Sequence, residues 1–246
     1  MSIESAEDLQ GVTEAGRVTT LALDALGAAV AAGVTTAELD AIARDILRAN
    51  GARSAPALVY GFPGSVLISV NDEIVHGVPG RRRLRDGDLV SLDVTVEKND
   101  YVADAARSVL VGPGSTLAHR LVHAAEQSLA AGLRVARAGV NVNEIGRAVS
   151  AEVTRHGFRV VRGLCGHGVG RTIHEEPQVP NEFDPSIRDV LTEGLVITIE
   201  PMISAGSAMP VESRDRWTLR TADGSLAAHC EHTLIITRGE PTILAA

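Results

Sequence analysis

The sequence predicts an α+β protein made of two related halves that meet at a cleft. Two observations carry that prediction. A helical segment recurs at an offset of 106 residues, AGVTTAELDAIARDILRANGAR at 32–53 against AGVNVNEIGRAVSAEVTRHGFR at 138–159. A strand segment follows each at an offset of 107, DGDLVSLDV at 86–94 against EGLVITIEP at 193–201. Two matches in the same order at nearly one offset point to duplication of a helix-then-strand unit. The period is too long for a solenoid, which needs roughly 20–50 residues per unit. Two halves related by a pseudo-twofold, each with helices packed on one sheet face, fit better. One catalytic domain over 1–246 is expected, with its halves at about 14–115 and 116–240.

Before the first unit lies a helix. Its apolar run LALDALGAAVAAG carries a charge and glycines and is too short to span a bilayer. In the first unit Thr35 can N-cap a helix, with Glu38 three residues on completing a capping box. Apolar residues then recur at helical spacing, Leu39, Ile42, Ala43, Ile46 and Leu47, until Gly51 closes the helix. SLDVTVEKNDYVADAARSV, 91–109, reads as a hairpin with EKND as its turn. A four-residue loop there sets Asp93 directly across from Asp104. Two carboxylates on one rung repel unless a positive charge lies between them; the alternative is a register slip that turns one to solvent. In the second unit Asn141 and Glu144 take the places of Thr35 and Glu38, and Gly157 that of Gly51.

GHGVGRTIHEEP, 166–177, has too many glycines for a helix, and on one regular strand His167 and His174 would face opposite ways. The two imidazoles meet only if the chain between them folds back. Glu200 ends the apolar strand LVITIEP, and Glu231 precedes the apolar run of AAHCEHTLIIT, 227–237. A buried acid must be paired, protonated or metal-bound.

Composition narrows the class. Aromatics make up 2% of the chain, so the core rests on Ala, Val, Leu and Ile. The net charge of −8 argues against a sequence-specific nucleic-acid binder. RRRLR at 81–85 is either a solvated turn or a contact for an anionic partner such as ribosomal RNA. With no signal peptide and two cysteines, Cys165 and Cys230, a cytoplasmic setting is expected. No G-x-S-x-G elbow or P-loop appears, which removes support for serine-nucleophile and nucleotide chemistry.

Four interior acids and at least one histidine fit two metal ions better than one. Oxygen-rich ligation with a single imidazole suits Mn²⁺, Fe²⁺ or Co²⁺, with Zn²⁺ possible. Such a pair activates a water or hydroxide and polarises a carbonyl, which is machinery for hydrolysis. His76, in NDEIVHGVPG, and His174 are then candidates to hydrogen-bond substrate, against the plainer reading of satisfied structural histidines.

The chain resembles type I methionine aminopeptidases, whose fold is the pita-bread fold. The resemblance runs from about residue 14 to the final strand. It is carried by SVNDEIVHGVP, LDVTV with Asp104 eleven residues on, GHGVGRTIHEEPQV, ITIEPMI and CEHT. It implies two divalent cations held by Asp93, Asp104, His167, Glu200 and Glu231, with Asp104 and Glu231 bridging. It also implies substrate contacts from His76 and His174 around the scissile bond and participation of Glu200 in proton transfer. The activity implied is removal of initiator methionine from nascent chains when the second residue is small, by a monomer working near the ribosome and not at a membrane. Trp217 matches a wall of the methionine pocket, and Phe62 falls where an aromatic is common. Leu67 replaces a frequent cysteine, Val59 stands where a tyrosine can lie, and Ile173 stands where an aromatic is frequent. A proline-directed relative and a metal-free binding module are the competing readings. IEPMI in place of an E-P-G pattern opposes the first, and the full set of acids and histidines opposes the second.

Overall fold

A computed structural model describes all residues 1–246. The chain opens with α1 (Ala6–Ala29) and α2 (Thr36–Ala49). At α2 the capping box forms: Thr35 Oγ1 accepts the Glu38 N–H at 3.1 Å and Glu38 accepts the Thr35 N–H at 2.7 Å. After β1 (Arg53–Ser54) and the short α3 (Ala55–Tyr60) come β2 (Leu67–Val70) and β3 (Glu73–Val75). The long hairpin of β4 (Leu89–Lys98) and β5 (Tyr101–Leu110) completes the first half.

That hairpin corrects the sequence reading. Its turn is the two residues Asn99 and Asp100, both at positive φ (52° and 62°), as a type I′ turn requires. Glu97 and Lys98 stay in the strand, where Glu97 accepts Arg53 Nε at 2.6 Å. Asp93 therefore pairs with Ala106, and Asp104 with Thr95. The two acids are diagonal neighbours on one face instead of rung partners, which puts distance between like charges.

The second half repeats the plan with α4 (Thr116–Val135) and α5 (Asn143–Arg155). Here the expected capping box does not form. Asn141 Oδ1 accepts the Asn143 N–H at 2.9 Å, the helix starts one residue later than the repeat suggests, and Glu144 pairs with Arg147. The strands that follow are β6 (Arg159–Val160), β7 (Cys165–Gly168), β8 (Glu175–Pro180), β9 (Val196–Ile199) and β10 (Met202–Ser204). Then come β11 (Pro210–Glu212), β12 (Leu219–Thr221), β13 (Ala227–His229), β14 (Glu231–Ile235) and β15 (Thr242–Ala245).

Nine strands form the main sheet, in the order β1-β4-β5-β14-β9-β7-β8, with β2 on β4 and β15 on β14. All these pairs are antiparallel. Equivalent contacts brace the two halves. The Gly33 N–H donates to Leu84 O and the Gly139 N–H to Leu191 O, both at 2.8 Å. Gly33 and Gly139 adopt φ of 90° and 87°, where a side chain would be strained.

Alternation along β4 explains where the cleft sits. Val90, Leu92, Val94 and Val96 face the helices and join a core of 29 buried residues that includes α1 and α2. Ser91, Asp93, Thr95 and Glu97 face the other way, and all are buried too. A second core of 22 residues packs α4 and α5 against Ile197, Ile199 and Leu234 of β9 and β14. That leaves Thr198 and Thr233 on the same face as Asp93. No helix is long and apolar enough to cross a membrane.

Gly77 shows how tightly the rim of this face is built. A Cβ on it would lie 2.1 Å from the Ile68 carbonyl oxygen, a backbone atom that cannot swing aside. Gly77→Ala is expected to cost about 1–3 kcal/mol or more, measured as a lower urea midpoint with an unchanged m-value.

Candidate metal centre and adjoining pocket

Five strands of one sheet each contribute a polar group to the same face. Asp93 comes from β4, Asp104 from β5, Glu231 from β14, Glu200 from the residue after β9, and His167 from β7. The pairings Glu231↔Ala106, Thr233↔Thr198 and Gly168↔Ile197 fix this common orientation. All five residues are at least nine-tenths buried.

Threonines on the same face hold them. Thr95 Oγ1 donates to Asp104 Oδ2 at 2.9 Å, and Thr198 Oγ1 donates to Glu200 Oε1 at 2.8 Å while accepting the His167 N–H at 3.1 Å. Thr233 Oγ1 accepts the Asp104 N–H at 2.9 Å and donates to the Asp104 carbonyl at 2.6 Å. Three carboxylate oxygens remain buried with no hydrogen-bond partner: Asp93 Oδ1, Asp104 Oδ1 and Glu231 Oε1.

Burial raises the pKa of all four carboxyls, Asp104 to about 6. At Asp93 the charges of Asp104 and Glu200 add to burial, and at Glu231 those of Asp104, Glu200 and Asp93 do. Such a cluster of anions calls for cations. The histidines are suited to that task. Burial lowers His167 to about 4, so its ring is neutral at pH 7. Its Nδ1 lies 2.9 Å from the Gly168 carbonyl, which can only accept. The proton is therefore on Nδ1, and the Nε2 lone pair points toward Glu200 Oε1, 3.3 Å away. Orphaned carboxylate oxygens and an imidazole with a free lone pair are a donor set that fits divalent cations. Two groups of potential ligands share Glu231: Asp104, His167 and Glu231, and Glu200, His229 and Glu231.

Beside this floor lies a cavity of about 250 Å³. Every residue proposed from the sequence lines it: the five above together with His76, His174, Phe62, Leu67 and Trp217. Phe62 and Trp217 meet edge to face with centroids 5.2 Å apart, and the buried Leu67 and Ile173 line the same cavity. His76 follows β3 at φ 61°, an uncommon conformation for a side-chain-bearing residue. Thr218 Oγ1, next to Trp217, donates to its carbonyl. Burial lowers His76 to about 4, and the nearby His174 adds to that. His167 and His174 do meet: a bulge in the β7–β8 pairing and the loop between them bring their rings to a centroid distance of 4.4 Å.

Besides the threonines, two ring-bearing residues at the site were missed from the sequence. Tyr60 lines the cavity with its Oη 2.6 Å from His174 Nδ1, whereas the neighbouring Val59 is exposed and lies outside it. The aromatic sought at 59 is thus supplied one residue later, by the last residue of α3. The second is His229, two residues before Glu231 in a stretch whose acid drew the attention. Cys165 and Cys230 are held as thiols, burial pushing them up to about 11 and about 12.

The family model for metallopeptidase family M24 matches residues 10–238. Methionine aminopeptidase 2 of Bacillus subtilis is 40% identical over 246 residues, covering 99% of each chain. The crystal structure of methionine aminopeptidase from Thermotoga maritima superposes with a TM-score of 0.95 at 32% identity, again over 99% of each chain. Prolidase from Pyrococcus furiosus shares the fold at a TM-score of 0.81 and 22% identity, but this chain covers only 65% of it.

Divalent cations are expected to stabilise this protein. Added Mn²⁺ or Co²⁺ should raise the Tm of the chelator-treated protein in proportion to occupancy. Asp104→Ala should abolish both that shift and metal uptake measured by elemental analysis, while circular dichroism shows the fold retained.

Proposed function

The chain belongs to metallopeptidase family M24, with the pita-bread fold and methionine aminopeptidases among its full-length relatives, and we propose that it removes the initiator methionine from nascent proteins whose second residue is small. The observation that carries this reading is the adjacency of the buried polar floor and the apolar cavity on one sheet face.

Asp93, Asp104, His167, Glu200 and Glu231 would hold two divalent cations, Asp104 and Glu231 being the residues to share between them; Mn²⁺, Fe²⁺, Co²⁺ and Zn²⁺ suit such a donor set. Bound there, such ions supply Lewis acidity toward a peptide carbonyl and acidify a water so that it can attack near neutral pH. The protein supplies the rest. Phe62, Leu67 and Trp217, with Ile173 and Tyr60, enclose an unbranched thioether and exclude water from it. His76 and His174, both neutral at pH 7, donate N–H groups to the substrate around the scissile bond. The tautomer in which the Tyr60 O–H donates to His174 Nδ1 leaves the Nε2–H free for substrate. Glu200 would exchange a proton between attacking water and leaving amine.

On this reading the substrate is the amino terminus of a nascent polypeptide, and a monomer does the work in the cytoplasm near the ribosome. Within RRRLR, Arg82 is bound to Glu73 at 3.2 Å and Arg83 to the Gly33 carbonyl at 2.7 Å. Arg81 and Arg85, both exposed, are the residues left to meet an anionic surface.

Mass spectrometry of a peptide panel incubated anaerobically with Mn²⁺- or Fe²⁺-loaded protein tests the reading. Met-Ala-Ser should lose methionine, and Met-Lys-Ser, Leu-Ala-Ser and Ala-Pro-Ala should stay intact. Cleavage of Ala-Pro-Ala in place of Met-Ala-Ser would move the protein to the proline-directed branch of the fold.

A further inference from the structure

His229 closes β13 and is buried among the carboxylates, with 1% of its side chain exposed. Its backbone is fixed from both sides by one hydroxyl. Ser108 Oγ accepts the His229 N–H and donates to its carbonyl, each at 2.9 Å. The ring is therefore delivered to a set position, and neither of its nitrogens has a hydrogen-bond partner. A buried imidazole left so is costly, and native interiors seldom tolerate it.

The neighbours of that ring show what it is for. Nδ1 lies 4.0 Å from Asp93 Oδ2, and Nε2 lies 3.9 Å from both Glu200 Oε2 and Glu231 Oε2. These separations exceed a hydrogen bond. The two Nε2 separations match donor atoms sharing one ion, because ligand atoms each about 2.1 Å from a cation stand roughly 3.0–4.2 Å apart, depending on the angle between them.

We propose that His229 is an additional protein ligand of the metal centre, its Nε2 sharing an ion with Glu200 and Glu231. This rests on the reading of the five residues above as ligands and adds a sixth. The centre then has two imidazoles instead of one. A second nitrogen donor shifts the centre toward imidazole-favouring ions such as Co²⁺ and Zn²⁺ and away from Mn²⁺.

X-ray absorption of the wild-type protein loaded with two equivalents of Zn²⁺ or Co²⁺ counts imidazoles without any variant. Multiple scattering from two imidazoles per two ions, falling to one in His229→Gln, is the expected result. Isothermal titration with Co²⁺ should show two sites in wild type, one of them weakened by about 10–100-fold in His229→Gln, with the Mn²⁺ affinities changed far less. Two ions bound with a single imidazole in wild type would overturn the role of His229 and leave the five-residue centre standing. Failure of wild type to bind ions at all would overturn the centre, and His229 with it.

Discussion

Four carboxylates have to be held together in a buried place, and every other part of the site answers to that constraint. Left alone they would repel one another, and burial would protonate them. The sheet meets the first difficulty by geometry: the acids are spread over four strands, and Asp93 and Asp104 sit on a diagonal rather than a rung. It meets the second in part with hydroxyl donors, which favour the charged form. Threonine hydroxyls take one oxygen of Asp104 and one of Glu200, and others stay unpaired. Cations are the counterpart this arrangement is built to accept. The two halves are thereby joined at their most polar point, since Asp93 and Asp104 come from the first and His167, Glu200 and Glu231 from the second.

Much of this was legible in the sequence, for identifiable reasons. The repeat exposed the two-half plan because its helices and strands kept the same glycines and acids. Glu200 and Glu231 stood out as acids at the ends of apolar strands. The hairpin register was misread because EKND is polar throughout and nothing in composition shows that only Asn99 and Asp100 leave the strand. The capping box at Asn141 failed for a similar reason: its side chain reaches the second N–H after it, a choice that local conformation makes. Both faults left the face assignment intact.

Residues revealed only by folding share a different property. Tyr60 and His229 approach the site from elements whose own sequence pattern is ordinary: a short helix for one and the end of a three-residue strand for the other. Their positions are decided by contacts across 114 residues to His174 for Tyr60 and 121 residues to Ser108 for His229. A pattern read locally carries no trace of such distances. Opposite the acids, the pocket walls were foreseen as apolar, and their shape depends on the edge-to-face pair of Phe62 and Trp217.

The five inward-facing groups stand on five extended strands whose side chains alternate, and that places a rule on how this chain can change its length. Removing or adding one residue within any of these strands turns the group beyond it toward the helices. An even change slides it along the same face, as the two-residue hairpin turn does relative to a four-residue one. The strands can therefore drift only in twos, and odd insertions must be taken up by the loops. Over evolutionary time, gaps of odd length in relatives should fall between the strands and not within them.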